Sequence, residues 1–108
     1  MDFEFLQNLC DEIIRDYGTR DVFLIAEKVG VSIIYESWHP VTFGEFEKNT
    51  KTIRVNGNAL ASAANAEDLE RKIVAHELGH FFAIDLKLGR KEEEKFARAF
   101  AEFFLRLR

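Results

Sequence analysis

Between Ile73 and Ile84 the chain reads IVAHELGHFFAI, apolar or small at every position except His76, Glu77 and His80. A surface helix carries its apolar residues on one stripe, whereas this segment has them almost all the way round, so the rest of the fold must enclose it. Whatever else the chain forms has to wrap this helix. The same segment poses a chemical problem, because two imidazoles and a carboxylate are costly to desolvate unless something satisfies them.

The flanking segments can supply the wrapping. From Phe3 to Tyr17 the residues Leu6, Leu9, Cys10, Ile13, Ile14 and Tyr17 recur at helical spacing, with Gly18 as a C-terminal cap. DVFLIAEKVG predicts a second, short helix, with Asp21 as N-cap, Val22, Ile25, Ala26 and Val29 on one face and Gly30 at its end. VSIIYES reads as a strand, and VTFGEFEKNTKTIRVNGN as a hairpin turning at EKNT, with Asn56-Gly57-Asn58 closing the sheet region. Asn65 is placed to cap the enclosed helix, with Glu67 and Asp68 in its first turn and Gly89 at its stop. In the last segment Phe96, Phe100, Phe103, Phe104 and Leu107 fall on one face. The expected order is helix, helix, three strands, helix, helix. That is an α+β fold with a small three-stranded antiparallel sheet, about four helices and HELGH on the third of them, in one domain over residues 1–108.

Composition narrows the function classes. A formal net charge of −4 with no local Lys/Arg cluster is the wrong sign for a phosphate backbone, so no direct nucleic-acid ligand is expected. IAEKVGVS has the look of a helix-turn-helix opening, but Ile33, Ile34 and Tyr35 favour a strand and Pro40 follows, where that motif needs a second helix. Cys10 lies on an apolar stripe and reads as a core residue without a disulfide partner. The acidic N-terminus does not resemble a secretory signal, and no charge-free apolar stretch approaches membrane-spanning length, which together fit a cytoplasmic protein with no membrane partner. The eleven phenylalanines predict an aromatic core.

In H-E-x-x-H the two histidines, four apart, project from one side of a helix and can offer two imidazole nitrogens to one ion. Glu77 is rotated about one hundred degrees from His76, too far round to ligate with it but within reach of a water on the same ion. This is the division of labour of a zinc hydrolase, in which neutral histidines hold the metal and a carboxylate takes a proton from the water the metal acidifies. A catalytic zinc takes three protein ligands, so a third is required. Leu86 stands where a metzincin would carry histidine, which excludes that class. Asp85 would point away on a continuous helix. Glu92, Glu93 and Glu94 remain. Glu94 shares a stripe with Ala97 and Ala101, small enough for close helix approach, and is favoured; Glu93 shares a stripe with phenylalanines and is the reserve; Glu92 reads as solvated.

AHELGH preceded by a strand ending IRVN, and followed by Glu94, Ala97, Phe100 and Ala101 as E-x-x-A-x-x-F-A, resembles the ImmA/IrrE family of bacterial and phage zinc metallopeptidases, which are gluzincin-like. The resemblance extends upstream through IAEKVGVSI and the hairpin bearing Gly44, about residues 20 to 104. It implies a minimal zincin-like domain with Zn2+ held by His76, His80 and Glu94, and Glu77 as general base. It also implies a protein or peptide substrate, a helix-turn-helix repressor controlling mobile elements or stress genes. Arg98 departs from the family pattern, where a small polar residue is usual.

For peptide hydrolysis the oxyanion needs a further donor, and Tyr35, His39 or a backbone N–H are the candidates. A free sheet edge near the site would hold an extended substrate by strand addition. The competing reading is a non-catalytic zinc-binding protein that sequesters a repressor or toxin partner.

Overall fold

The computed structural model describes residues 2–39 and 41–106, so Pro40 and Leu107 of the sequence expectations lie outside the described residues. Helices α1 (Phe3–Tyr17) and α2 (Val22–Lys28) come first, followed by strands β1 (Ser32–Glu36), β2 (Gly44–Glu47) and β3 (Thr52–Asn56). Helices α3 (Gly57–Ala61), α4 (Ala66–Phe82) and α5 (Arg90–Arg106) complete the chain, with a 3-10 turn at Ile84–Leu86 between the last two. The expected caps at Gly18, Asp21 and Asn65 form, and Asp2 adds one at the start of α1. Asp2, Asp21 and Asn65 accept backbone N–H groups at the starts of α1, α2 and α4, and Gly18 ends α1 in the left-handed conformation. A strand follows α2, which rules out a helix-turn-helix there.

The fold is α+β, and two expectations need correction. The sheet is mixed: β3 lies in the middle, antiparallel to β2 as in a hairpin but parallel to β1. The chain runs along β1, crosses to β2, and returns as β3 into the space between them. Ile53 and Val55 of β3 are fully buried, and a central place is the one that buries such residues best. The connection from Glu36 to Gly44 therefore spans two strand spacings, about 10 Å. The second correction concerns helix count. HELGH sits on the fourth of five helices, because Asn56 caps the short α3 immediately after β3 instead of opening a loop. The central helix also stops at Phe82, well before Gly89.

As its apolar circumference requires, α4 is the hub. It packs against α5, β2, β3, α2 and α3. Ile73, Val74, Ala75, Leu78 and Gly79 are all buried. From α5, Phe96, Phe100 and Phe104 fill the core, with Phe82 of α4 stacked on Phe100 at 5.5 Å between ring centroids. The outer face of the sheet is polar. There Arg54 reaches Glu36, Glu45 and Glu47 at 2.9, 3.3 and 2.6 Å.

Asn56 is the one fully buried polar residue among those described, and its side chain is saturated with bonds. Its Oδ1 accepts from the N–H groups of Asn58 and Trp38, and its Nδ2 donates to the carbonyls of Thr42 and His39. One side chain thereby joins the end of β3, the start of α3 and the segment that leads into β2. No described helix is long and apolar enough to cross a membrane.

Candidate metal centre

The site is assembled by two helices that cross very closely. A methyl group on Gly79 would sit 2.9 Å from the Cα of Ala97 and 3.1 Å from its carbonyl oxygen, so the glycine inside HELGH and the alanine of α5 together set the separation. His76 and His80, one turn apart on α4, have ring centroids 5.2 Å apart. Glu94, one turn before Ala97 on α5, enters between them. Its Oε1 is 2.9 Å from Nε2 of His76 and its Oε2 is 3.1 Å from Nε2 of His80. One ligand atom from each residue lies within 4.8 Å of the other two, the only such His/Cys/Asp/Glu group among the described residues.

The donor set calls for a cation. Glu93 places Oε2 at 2.8 Å from Nδ1 of His80, and because an ionised carboxylate only accepts, that nitrogen carries the proton and donates it. Nε2 of the same ring then presents a lone pair to the Glu94 carboxylate. Two acceptors facing one another are reconciled by an added proton or by a metal ion between them. Burial holds the His76 imidazole below its ordinary pKa against the opposing pull of Glu94, so the ring can ligate as the neutral base at neutral pH. Two imidazole nitrogens and a carboxylate oxygen suit a divalent ion of the transition series.

Glu77 stands apart from this group. It forms no hydrogen bond or ion pair with any described residue, and it lines the same cleft of about 800 Å³ as the three ligand candidates. The cleft's other wall is β2. A side chain at Gly44 would collide with Ile73 Cγ2 at 2.5 Å and meet Glu77 Cγ at 3.6 Å, so the glycine lets the strand lie directly over this turn of α4. Burial pushes the Glu77 carboxyl up from 4.5 to about 7, with Glu94 and Glu45 adding to the effect and His80 opposing it.

No protein-family model matches this chain, and no curated protein matches it either.

The structure brings together His76, Glu77, His80 and Glu94. Glu93, the reserve ligand, faces the far nitrogen of His80; it neither joins the ligand group nor packs into the aromatic core. Glu92 is exposed and pairs with Lys95 at 3.6 Å. Asp85 lies in the 3-10 turn, outside the group. Tyr35 donates its hydroxyl proton to Glu70, its pKa pushed up to about 12 by burial and by that partner, and neither Tyr35 nor His39 lines the cleft. Its lining includes the cationic side chains of Lys72 and Arg98, and Arg98 Nε lies 3.5 Å from Glu94 Oε1. The signal for Arg98 was its spacing of four from Glu94; Gly44 and Asn56 gave no chemical signal.

The geometry makes separate predictions for the two neighbouring glutamates. In competition titrations with zinc, Glu94→Gln is expected to lose more affinity than Glu93→Gln, and the latter to weaken binding by about 10- to 100-fold through misorientation of His80. Equal, negligible effects would show that neither carboxylate serves an ion.

The Glu77 shift predicts a pH dependence for the metal-free protein. Its folded pKa lies above the unfolded value, so its contribution favours folding fully below pH 4.5 and is lost as pH rises towards about 7. In urea titrations with chelator present, wild type should fall relative to Glu77→Gln by on the order of 2–3 kcal/mol over that window. Parallel stability curves for the two proteins would contradict it.

Proposed function

We propose that this chain is a zinc-dependent metallopeptidase of minimal zincin-like architecture. The observation that carries the reading is the separation of roles in one cleft: three converging side chains able to ligate a metal, with a fourth side chain beside them, the Glu77 carboxylate, that is not engaged by the protein. His76, His80 and Glu94 would hold the zinc, and Glu93 would fix the His80 ring. When bound, zinc supplies a Lewis acid that polarises the scissile carbonyl and brings the pKa of water to about 7.

Glu77 takes the proton of the attacking water and passes it to the leaving amine as the peptide C–N bond breaks and the C–O bond forms. A carboxyl held near neutrality by burial is suited to both halves of that transfer, and a nearby cation would draw its pKa down into the working range of a base. Arg98 is placed to offer hydrogen bonds to negative charge developing in the cleft.

The free edge of β2 supports a peptide substrate. Asn56 N–H bonds the Phe43 carbonyl at 2.9 Å, and Gly44 is paired with Val55, so the alternation of an antiparallel ladder turns the N–H and C=O of Gly44 and Phe46 away from β3. Those groups face the open side, at the strand that lines the cleft. An extended segment can bond them by strand addition and lie across Glu77 and the metal ligands. The family resemblance adds the substrate class, a helix-turn-helix repressor.

Incubation of the zinc-loaded protein with a repressor encoded beside its gene, followed by mass spectrometry, tests the reading. New termini should appear with wild type, and Glu77→Gln should keep its zinc while cutting at least 100-fold more slowly. Full biological activity in Glu77→Gln would identify the protein instead as one that holds its partner without cleaving it.

A further inference from the structure

The sheet has a second free edge on β1, across β3 from the strand that lines the metal cleft. The Ser32 N–H bonds the Lys51 carbonyl at 3.0 Å, so Ser32, Ile34 and Glu36 turn their main-chain groups towards β3, and the alternation of the strand turns those of Ile33 and Tyr35 outwards. Among the described residues nothing bonds these outward groups. Edge strands are commonly guarded by a lysine, a proline or a bulge that keeps other strands off. β1, with the sequence SIIYE, has none of them: its register with β3 runs unbroken from Ser32 to Glu36, and its one charge, Glu36, is held by Arg54 at 2.9 Å. In place of a guard it presents Ile34, 38% exposed, and Tyr35, 51% exposed.

The pattern along β1 is complementary to itself. When a second copy lies antiparallel to it with the two-fold axis at Ile34, Ile33 of each copy faces Tyr35 of the other, and the outward N–H and C=O groups of both residues are satisfied. On the outer face Ile34 meets its counterpart and Glu36 meets Ser32, so no like charges oppose. Neighbouring axes fit less well. An axis at Ile33 needs the N–H of Val31, which the Ala26 carbonyl already takes, and an axis at Tyr35 needs Ser37, beyond the end of the strand. The β2 edge lacks the property altogether, because the register that uses both of its outward residues, Gly44 and Phe46, sets Glu45 against Glu45. The inner face of β1 adds a socket. A hollow of about 390 Å³ lies beside Ile33, walled by Phe23, Glu27 and Val31. Tyr35 of the second copy, opposite Ile33 and on the same face of the sheet, brings the exposed side of its ring against that hollow, and the symmetry closes the other hollow in the same way.

From this complementarity we infer that β1 is an interface between two copies of this chain, paired antiparallel about Ile34 so that their sheets join into one. Each β2 then lies at an outer edge of the joined sheet, and both metal clefts stay open. The interface is independent of what the cleft does. A single short strand and one ring from each copy bury little area, so the dimer is a weak one, with a dissociation constant on the order of 10–100 µM.

Sedimentation equilibrium of the purified protein, from about 1 µM to about 1 mM, tests the association. Monomer is expected at the low end and dimer at the high end. Ile34→Lys sets two ammonium groups against each other at an exposed position and should weaken the dimer at least about tenfold, with circular dichroism to check that the fold is kept. Ile34→Cys reads the register. Across the axis the two Cα atoms lie about 4.5 Å apart, within the range a disulfide spans, so under a mild oxidant this variant should cross-link at least about tenfold faster than Ser32→Cys or Glu36→Cys. The native Cys10 is buried and does not compete. A monomer at every concentration overturns the interface, as does association that Ile34→Lys leaves unchanged. Equal cross-linking of the three cysteine variants overturns it as well.

Discussion

The contact on which the rest depends is that between Gly79 and Ala97, where α4 and α5 cross with no side chain intervening. Hydrophobic burial drives the two helices together. Phe96, Phe100 and Phe104 are withdrawn from water on α5, each stabilising the fold by about 1.5–3 kcal/mol. The distance, however, is fixed by the small residues. A helix pair spaced by ordinary side chains would lie several ångströms further apart, and a glutamate on one would stop short of imidazoles on the other. Close approach is what turns an acidic first turn on α5 into a set of ligand atoms for α4.

The same economy of side chains recurs at Gly44, where β2 lies against α4 because nothing projects between them. The enclosed helix is thus approached from two sides at glycine positions, by a helix that brings carboxylates and by a strand that brings an open edge. The consequence is electrostatic. Glu77 is shielded from water on the strand side and left without a partner, which raises its pKa, and the metal-free fold is less stable at neutral pH for carrying it ionised. A divalent ion reverses that penalty by placing positive charge beside both Glu77 and Glu94. Binding and folding are then linked in one site.

Much of this was legible in residue patterns, and the limits are instructive. The helices with strong caps and periodicity, Phe3–Tyr17 above all, follow from local chemistry and form where expected. Glu94 is singled out by its alanine stripe, and Ala97 of that stripe meets Gly79. Two kinds of feature escaped. The parallel pairing of β1 with β3 depends on which strand takes the central place, a choice made by long-range burial of Ile53 and Val55 that no local signal encodes. Glu93 was assigned to the aromatic face by its spacing of three from Phe96, but long side chains near a helix start can swing to a polar neighbour, and His80 Nδ1 is within reach. Tyr35 and His39 failed as cleft donors for a related reason. Their types were right for the chemistry, whereas their place depended on a sheet whose topology the sequence did not specify.

The central claim is that one ion is shared by imidazoles of α4 and a carboxylate of α5. X-ray absorption at the zinc edge on protein carrying one equivalent of zinc tests it most directly. The account predicts the multiple-scattering signature of two imidazoles with oxygen completing the shell, all at about 2.0–2.2 Å, and loss of one imidazole in either His76→Ala or His80→Ala. A sulfur neighbour at about 2.3 Å, which would implicate Cys10, or a shell of oxygen alone would contradict it.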